Sequence, residues 1–301
     1  MPAVNSFVNR FFGLIMLVAA FLGIIIPIPD INTANAIMIS LAVIIFASFF
    51  RVDLNKDLIS GNLKSVLIFY IVRFIILPLV VYFIINPFSS FYALSFFLLL
   101  LMPSAVSSPA FTLMFNGDVG LALKLLVFSS FLAIFSIPFI SQLILSQEVN
   151  LDTWKMFMTM VYTILVPFAL HLPLRRFSKM KNFFSANTPI ITVLGLIVLY
   201  LVAISHNREV VIGNPQKVLL YTIISLGGLL VFYLFGYFMM FKFDKAKRIS
   251  YSVSSGANNI GIGVTITAIY FTGEVNVFFI ISQLAWIFVL MPMRYFYKWK
   301  K

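Results

Sequence analysis

The 301-residue sequence contains no cysteine, only two histidines and very few charged residues. Without cysteine there is no disulfide, no thiolate nucleophile and no cysteine-ligated metal. His171 and His206 lie far apart and form no metal-ligand pattern. The sequence also shows no nucleophile–base pair and no cofactor motif. We therefore predict that the protein is not an enzyme and that it holds neither a cofactor nor a metal ion.

Charge is scarce and hydrophobicity is high. Charged residues make up 10% of the chain, whereas a soluble domain carries roughly 25%. Hydrophobic residues make up 62%, and the mean hydropathy is +1.07. Several apolar runs exceed the length needed to cross a hydrocarbon core about 30 Å thick. These features predict an all-α integral membrane protein. The first run, Val8 to Ile28, has no small-residue cleavage site after it and is predicted to be a span, not a cleaved signal.

Hydropathy predicts ten membrane spans joined by short loops. Their predicted ranges are 8–28, 35–50, 63–86, 90–115, 118–146, 154–174, 187–205, 217–242, 247–271 and 275–297. Span boundaries read from sequence are uncertain by about 2–4 residues.

The basic residues fall mainly on one side of this arrangement. If the N-terminus is inside, the inside set is Arg10, Arg51, Lys56, Lys64, Arg175, Arg176, Lys179, Lys181, Lys242, Lys245, Lys247, Arg248, Arg294, Lys298, Lys300 and Lys301. The outside set is Lys155, Arg208 and Lys217, which is 3 residues against 16. Because cytoplasmic loops carry the excess of Lys and Arg, both termini are predicted to be cytoplasmic. We expect a multi-pass protein of a bacterial inner membrane. Its net charge of +12 then mostly reflects this topology; we expect membrane lipid, and no nucleic acid, among its partners.

Two segments of the chain repeat at a constant offset of 156 residues. The matched residues are Phe115, Gly117, Asp118 and Val119 in the first copy and Phe271, Gly273, Glu274 and Val275 in the second. Five spans separate the copies, so the copies run in opposite directions through the membrane. This pattern predicts a five-plus-five inverted repeat of residues 1–150 and 151–301, with its boundary near Asn150.

Helix-breaking residues interrupt the fourth and ninth spans at equivalent places. The fourth contains Pro103-Ser-Ala-Val-Ser-Ser-Pro109, and the ninth contains Ser252-Val-Ser-Ser-Gly-Ala-Asn-Asn-Ile-Gly-Ile-Gly263. Proline removes a backbone donor, and the small residues loosen the helix. Paired broken helices of inverted repeats are typical of transporters, in which the binding site lies where the breaks meet. The alternative is that both motifs only allow close packing and kinks.

These two motifs resemble those of the bile acid:sodium symporter family. In that family the fourth helix carries a Pro-Gly-Gly-x-x-Ser-Asn-type break, where this chain has residues 103–109. The ninth carries Glu-x-Gly-x-Gln-Asn-x-Gly, where this chain has Ser254-Ser-Gly-Ala-Asn-Asn-Ile-Gly261. The resemblance implies a panel domain of helices 1, 2, 6 and 7 beside a core domain of helices 3–5 and 8–10. It also implies substrate binding near the crossing and movement by alternating access.

The sequence departs from the family at the positions that bind sodium. The family's glutamate in the ninth helix falls on Ser254, and the asparagine of the fourth falls on Pro109. A glutamine of the third helix falls on Arg73, and two polar ligands of the fifth fall on Ala122 and Leu126. The kept residues are Gly256, Asn259 and Gly261, while Asn258 replaces the family's glutamine.

No acidic residue lies within a predicted membrane core. The nine are Asp30, Asp53, Asp57, Asp118, Glu148, Asp152, Glu209, Asp244 and Glu274, all in loops or at span ends. Sodium needs hard oxygen ligands, and proton-coupled carriers usually need a titratable group in the pathway. We therefore predict that the protein does not use sodium as its relatives do.

Two cations and one amide lie inside predicted spans. Arg73 is near the centre of the third span, where a charge costs roughly 2.5–3.5 kcal/mol on insertion scales, so it should face a cavity or a partner. It either attracts an anion or only replaces sodium's structural role. Lys124 either faces the substrate path or snorkels to the interface. Gln283 is either a ligand contact or an interhelical hydrogen-bonding group.

The sequence predicts a secondary transporter, a uniporter or an exchanger, for a small or amphipathic organic anion. The predicted binding residues are Arg73, Ser107, Ser108, Lys124, Ser254, Asn258, Asn259 and Gln283, with Pro103, Pro109, Gly256 and Gly261 shaping the crossing. Three alternatives stay open: a sodium symporter with non-standard ligands, a non-transporting receptor that kept the fold, and a carrier of the related arsenite or auxin-efflux type. The absence of cysteine disfavours a thiolate-dependent arsenite carrier. Neither the substrate nor the oligomeric state follows from the sequence.

Overall fold

A computed structural model describes residues 2–28, 33–51, 63–145, 151–271 and 273–299, and every regular element in these ranges is helical. The helices are α1 Pro2–Ile25, α2 Thr33–Phe49, α3 Leu63–Ile85, α4 Ser90–Leu101, α5 Ser108–Met114, α6 Val119–Leu145, α7 Thr153–Leu174, α8 Ser178–His206, α9 Arg208–Gly213, α10 Pro215–Met239, α11 Lys245–Gly256, α12 Ile260–Tyr270 and α13 Gly273–Trp299. Within the described ranges, five helices (α3, α6, α7, α8 and α10) are long and apolar enough to span a membrane, and the bent α13 would make a sixth. The prediction of an all-α membrane protein is confirmed.

Both helix-breaking motifs interrupt helices in the structure. Residues 102–107 separate α4 from α5, and residues 257–259 separate α11 from α12. The two breaks lie against each other and pair as an antiparallel bridge between Ser104 and Asn258. The Ala105 N–H donates to the Ala257 carbonyl at 2.6 Å, and the Asn259 N–H donates to the Pro103 carbonyl at 2.7 Å. Backbone groups that leave a helix inside a membrane need such partners. We call this paired segment the crossing.

Two of the long helices each contain one wide turn just before a proline. Val72–Ile76 in α3 precedes Pro78, and Val161–Leu165 in α7 precedes Pro167. Proline has no N–H, and its ring clashes with the carbonyl of the preceding turn. The π turn makes room for that ring. In α3 it contains Arg73, whose side chain is directed into the protein interior.

Helix packing brings distant parts of the chain together. The long helix α8 packs most extensively on α1 and α2, and α2 also packs on α7. Elsewhere α10 packs on α11 and α13, and α3 packs on α4. Two side chains of α8 bind its neighbours: Thr188 Oγ1 donates to the Ala47 carbonyl at 3.0 Å, and Ser205 Oγ donates to the Ile26 carbonyl at 2.9 Å.

The bundle has two ends. One contains Ile28 and Asn207: the Ile28 N–H donates to Ser205 Oγ, and Ser205 is two residues before Asn207. The other contains Phe50, His171 and Asp118, whose N–H donates to the Ala246 carbonyl at 3.2 Å. We call these the Asn207 end and the His171 end.

The structure differs from the predicted ranges at several points. The seventh span was expected to begin at residue 187, but α8 begins at Ser178, because a polar first part can continue a helix beyond its apolar part. Lys179 and Lys181 are therefore helical, and the short helix α9 occupies the following connection. Some features of the sequence analysis lie outside the described residues. They are the predicted repeat boundary near Asn150, the side chain of Arg10, and Asp30, Asp53, Lys56, Asp57, Glu148, Lys300 and Lys301.

Candidate functional site

Arg73 lies at the crossing, fully buried. Its Nε donates to the Ser255 carbonyl at 3.0 Å and to Ser255 Oγ at 2.7 Å. One terminal nitrogen donates to the Leu100 carbonyl at 2.9 Å, and the other donates to Asn258 Oδ1 at 2.9 Å and to the Ser255 carbonyl. The guanidinium carbon also lies 4.8 Å from the ring centre of Phe74 and 5.3 Å from that of Phe232. The charge is therefore enclosed by oxygen atoms and aromatic faces.

The acceptors of Arg73 stand at the C-terminal ends of two helices. Leu100 is in the last turn of α4, and Ser255 is in the last turn of α11. The last four carbonyls of a helix have no partner within that helix, and the dipole places partial negative charge there. One guanidinium thus supplies hydrogen bonds and positive charge to both helix ends.

Asn258 and Ser255 extend the network that holds the guanidinium. The Asn258 amide nitrogen donates to the Leu99 carbonyl at 2.9 Å while its oxygen accepts from Arg73. Ser255 Oγ donates to the Phe232 carbonyl in α10 at 2.7 Å. Each residue therefore both receives from Arg73 and donates onward, which fixes the orientation of the oxygen atoms around the cation.

A group of serines forms the other side of the crossing. Ser104 Oγ donates to the Ser254 carbonyl at 2.9 Å, and the Ser104 N–H donates to Ser129 Oγ of α6 at 3.1 Å. The hydroxyl oxygens of Ser108 and Ser254 are buried and make no hydrogen bond within the described part of the chain. Two buried hydroxyls with unused hydrogen-bonding capacity therefore remain at the crossing.

A narrow cleft borders the crossing on the side of the His171 end. The cleft is partly open to the surface, and its free volume is about 20 Å³, room for little more than a water molecule. Its lining is mainly apolar, with polar groups at Ser48, Ser130 and Asn259; the other lining residues are Ile45, Phe49, Val106, Leu126, Val127, Ile164 and Ile262. Since α12 begins at Ile260, its N-terminus lies at the cleft. The Ile260, Ile262 and Gly263 N–H groups donate to the Asn258 and Asn259 carbonyls, so the helix dipole is what favours an anion at this terminus.

The structure separates the predicted site residues into two places. Arg73 and Asn258 lie together at the helix C-termini, whereas Asn259 lines the cleft. The expectation that Arg73 and the helix N-termini surround one ligand is not supported, because the cleft lining does not include Arg73.

The remaining predicted residues have mostly structural positions. Ser107 occupies the N-cap of α5 without a side-chain cap, and Pro109 lies in the first turn of α5, where no N–H is needed. Lys124 lies in the second turn of α6 and Gln283 in the middle of α13, both half-buried and outside the cleft lining. Gln283 Oε1 is buried, and none of the described residues donates a hydrogen bond to it.

Gly256 and Gly261 allow close approaches on either side of the ninth-span break. A Cβ on Gly256 would lie 2.0 Å from the ring of Tyr233, so α11 can end against α10 only with glycine there. A Cβ on Gly261 would lie 3.1 Å from the Leu41 side chain of α2, a tight contact between α12 and α2.

Sequence reasoning missed several residues of the site. Leu100 and Ser255 contribute main-chain oxygens, which have no side-chain signature. Ser48 and Ser130 line the cleft from α2 and α6, and a lone serine in an apolar helix is not distinctive. The spacing on α6 could have indicated Ser130, because Leu126 and Ser130 are four residues apart and therefore share one helix face.

Comparison with known proteins agrees with this geometry. The model of the Sodium Bile acid symporter family matches residues 36–214, more than half of the chain. The chain belongs to the sodium bile acid symporter family. The Bacillus subtilis (strain 168) protein YocS, described as an uncharacterized sodium-dependent transporter, is 21% identical over 276 residues, which cover 89% of this chain and 85% of YocS. This symporter-family protein is therefore a membrane transporter by kinship, and it carries an arginine inside its crossing.

Proposed function

We propose that this protein is a secondary transporter that works without sodium and carries a small or amphipathic organic anion by alternating access. The proposal includes ten membrane spans in a five-plus-five inverted repeat, with both termini in the cytoplasm of a bacterial inner membrane. It also groups α1, α2, α7 and α8 as a panel and the other long and broken helices as a core. The packing of α8 on α1 and α2, and of α10 on α11 and α13, supports that grouping.

The position of Arg73 carries the sodium-independent part of the proposal. The oxygen atoms of Leu100, Ser255 and Asn258 could hold a monovalent cation on one side of the crossing, and the guanidinium already occupies all three. Among the described residues, the acidic side chains stand at helix ends or in short connections, away from the crossing. The protein thus contains its own permanent positive charge where a transported ion would otherwise bind.

The cleft supports the organic-anion part. Its apolar lining suits the apolar part of a solute, and the N-terminus of α12 beside Asn259 suits a negatively charged group. Arg73 has its nitrogens engaged by protein oxygens and is not needed as an anion ligand.

A sodium symporter with non-standard ligands is the second candidate. Two observations favour it: the buried hydroxyls of Ser108 and Ser254 have no hydrogen-bond partner among the described residues, and the relative YocS is described as sodium-dependent. In that case sodium would bind on the serine side of the crossing while Arg73 stays in place.

Thermal unfolding of the purified protein in choline and in sodium separates the two candidates. A ligand that binds only the folded state stabilises it by about 2.7 kcal/mol at a hundred times its dissociation constant. We expect sodium alone to leave the unfolding temperature unchanged, and a bile acid or a smaller carboxylate to raise it equally in both salts. Asn259→Leu should abolish the anion effect.

The Arg73→Gln variant provides the matched test. Without the guanidinium the oxygen atoms at the crossing lack a cation, so the variant should be less stable in choline and should be partly restored by sodium. Stabilisation of the unmodified protein by sodium alone, or anion binding that requires sodium, would instead establish the symporter.

A further inference from the structure

The structure contains polar contacts between the proposed panel and core at the end of the molecule opposite the cleft. Tyr270, the last residue of α12, meets Thr159 of α7 with a distance of 2.8 Å between their hydroxyl oxygens. Because Thr159 Oγ1 donates to the Lys155 carbonyl at 2.9 Å, the Tyr270 hydroxyl must be the donor of the shared hydrogen bond. The core thereby donates directly to the panel.

A second contact joins Asn207 to Asn276. The Asn207 amide nitrogen donates to Asn276 Oδ1 at 2.9 Å, and both side chains are buried. Asn276 in turn donates to the Val264 carbonyl and to Thr267 Oγ1, each at 2.9 Å. This chain of hydrogen bonds runs from the end of α8 in the panel to the middle of α12 in the core.

The same region is tightly packed around Gly273. A Cβ on Gly273 would lie 2.8 Å from Asn207 Oδ1. A third, less buried link runs from Thr153 Oγ1 of α7 to Gln142 Oε1 of α6 at 2.8 Å. Panel and core are therefore closely packed and hydrogen-bonded at the Asn207 end, whereas the cleft lies among α2, α6 and the start of α12 on the side of the His171 end.

We infer that Thr159–Tyr270 and Asn207–Asn276 form the gate that closes this carrier at the Asn207 end. The inference rests on the proposed panel and core and on alternating access between them. The described conformation has this gate closed and the cleft on the opposite side. Opening the Asn207 end requires both pairs to separate, so each pair biases the equilibrium toward the described conformation.

Cysteine labelling tests the gate directly, because the natural chain has no cysteine and needs no background substitutions. Thr163→Cys reports on the gate side, since Thr163 is fully buried and its Oγ1 donates to the Thr159 carbonyl. Ser130→Cys reports on the cleft. In detergent, the rate of reaction with a maleimide is measured for each reporter, with and without a gate substitution.

Tyr270→Phe should raise the labelling rate of the Thr163→Cys reporter roughly two- to tenfold, the change expected from one net hydrogen bond. Thr159→Val removes the same bond from the panel side, and Asn207→Ala removes the second pair; each should act in the same direction. Tyr270→Phe combined with Asn207→Ala should also slow the labelling of the Ser130→Cys reporter, because the two sides open alternately.

Tyr70→Phe is the matched control, since the Tyr70 hydroxyl lies 2.6 Å from Ser136 Oγ entirely within the core. It should change neither labelling rate. Unchanged labelling in all three gate variants, faster labelling at both reporters together, or an equal effect of the control would overturn the gate. The test uses neither sodium nor substrate, so the gate result does not depend on whether the sodium-independent proposal survives.

Discussion

At the scale of single residues, the buried charge of Arg73 is stabilised by neutral oxygen atoms, with no carboxylate among its partners in the described part of the chain. Leu100 and Ser255 present carbonyl oxygens from helix ends, and Asn258 presents an amide oxygen. Partial charges from two helix dipoles replace the full negative charge of an ion pair. Because the acceptors come from two different helices, the fork of the guanidinium also fixes the distance between those helix ends.

Arg73→Lys tests that geometric role. Lysine keeps the charge but concentrates its donors at one point, so it cannot reach acceptors on both helix ends in the same way. Each acceptor left unsatisfied costs about 1–3 kcal/mol, and we expect a correspondingly lower unfolding temperature. Arg176→Lys, at an exposed position, is the control and should leave the temperature unchanged. Equal temperatures for both variants would mean that only the charge of Arg73 matters.

The residue scale also shows what a sequence can reveal about such a site. Arg73 was predictable as a special position because a charge in the centre of an apolar run requires a partner. Its partners were not, because main-chain carbonyls exist at every residue. Tyr270 and Asn276 of the proposed gate were equally hidden, since polar residues are ordinary near the ends of membrane spans.

At the scale of helices, close packing explains one of two adjacent glycines in α10. A Cβ on Gly228 would lie 2.3 Å from the ring of Phe96 in α4, whereas a Cβ on Gly227 would meet no atom of the described residues within 4 Å. Gly228 therefore permits α10 to contact α4, and Gly227 faces open space.

The adjacent pair provides a matched comparison. Gly228→Ala should destabilise the protein by about 1–3 kcal/mol, because the ring of Phe96 must move. Gly227→Ala should leave stability unchanged or raise it by up to about 1 kcal/mol, since alanine favours the helix. Unfolding temperatures of the two variants check this. Similar losses of stability in both would show that the contact between Gly228 and Phe96 is not what makes Gly228 necessary.

Helix positions were largely predictable because apolar runs and prolines mark them. The two breaks also followed from composition: consecutive small, polar and proline residues weaken a helix wherever they occur. The hydrogen-bonded pairing of the breaks depends on contacts between residues far apart in the chain, which local patterns do not contain. The predicted span 187–205 covers only part of α8, because hydropathy marks the apolar part of a helix and not its polar extension.

At the scale of the whole molecule, the distribution of basic residues predicts which end faces the cytoplasm. Exposed positions at the two ends allow this to be measured. In intact cells, Val210→Cys at the Asn207 end should react with a membrane-impermeant maleimide, and Lys179→Cys at the His171 end should not. Labelling of the Lys179→Cys variant alone would reverse the predicted orientation; lysed cells, in which both should react, provide the control.

The positions of the Arg73 partners along the chain determine how late in synthesis the buried hydrogen-bond network around Arg73 can form. Leu100 lies 27 residues further along the chain, but Ser255 and Asn258 lie 182 and 185 residues further. For most of translation, therefore, a charged side chain in the third predicted span has only its earliest partner available. The first half of the chain cannot form its native interior alone. A nascent chain released before residue 258 would contain a cation that lacks some of its hydrogen-bond partners. Membrane quality control would have a physical reason to recognise such a chain.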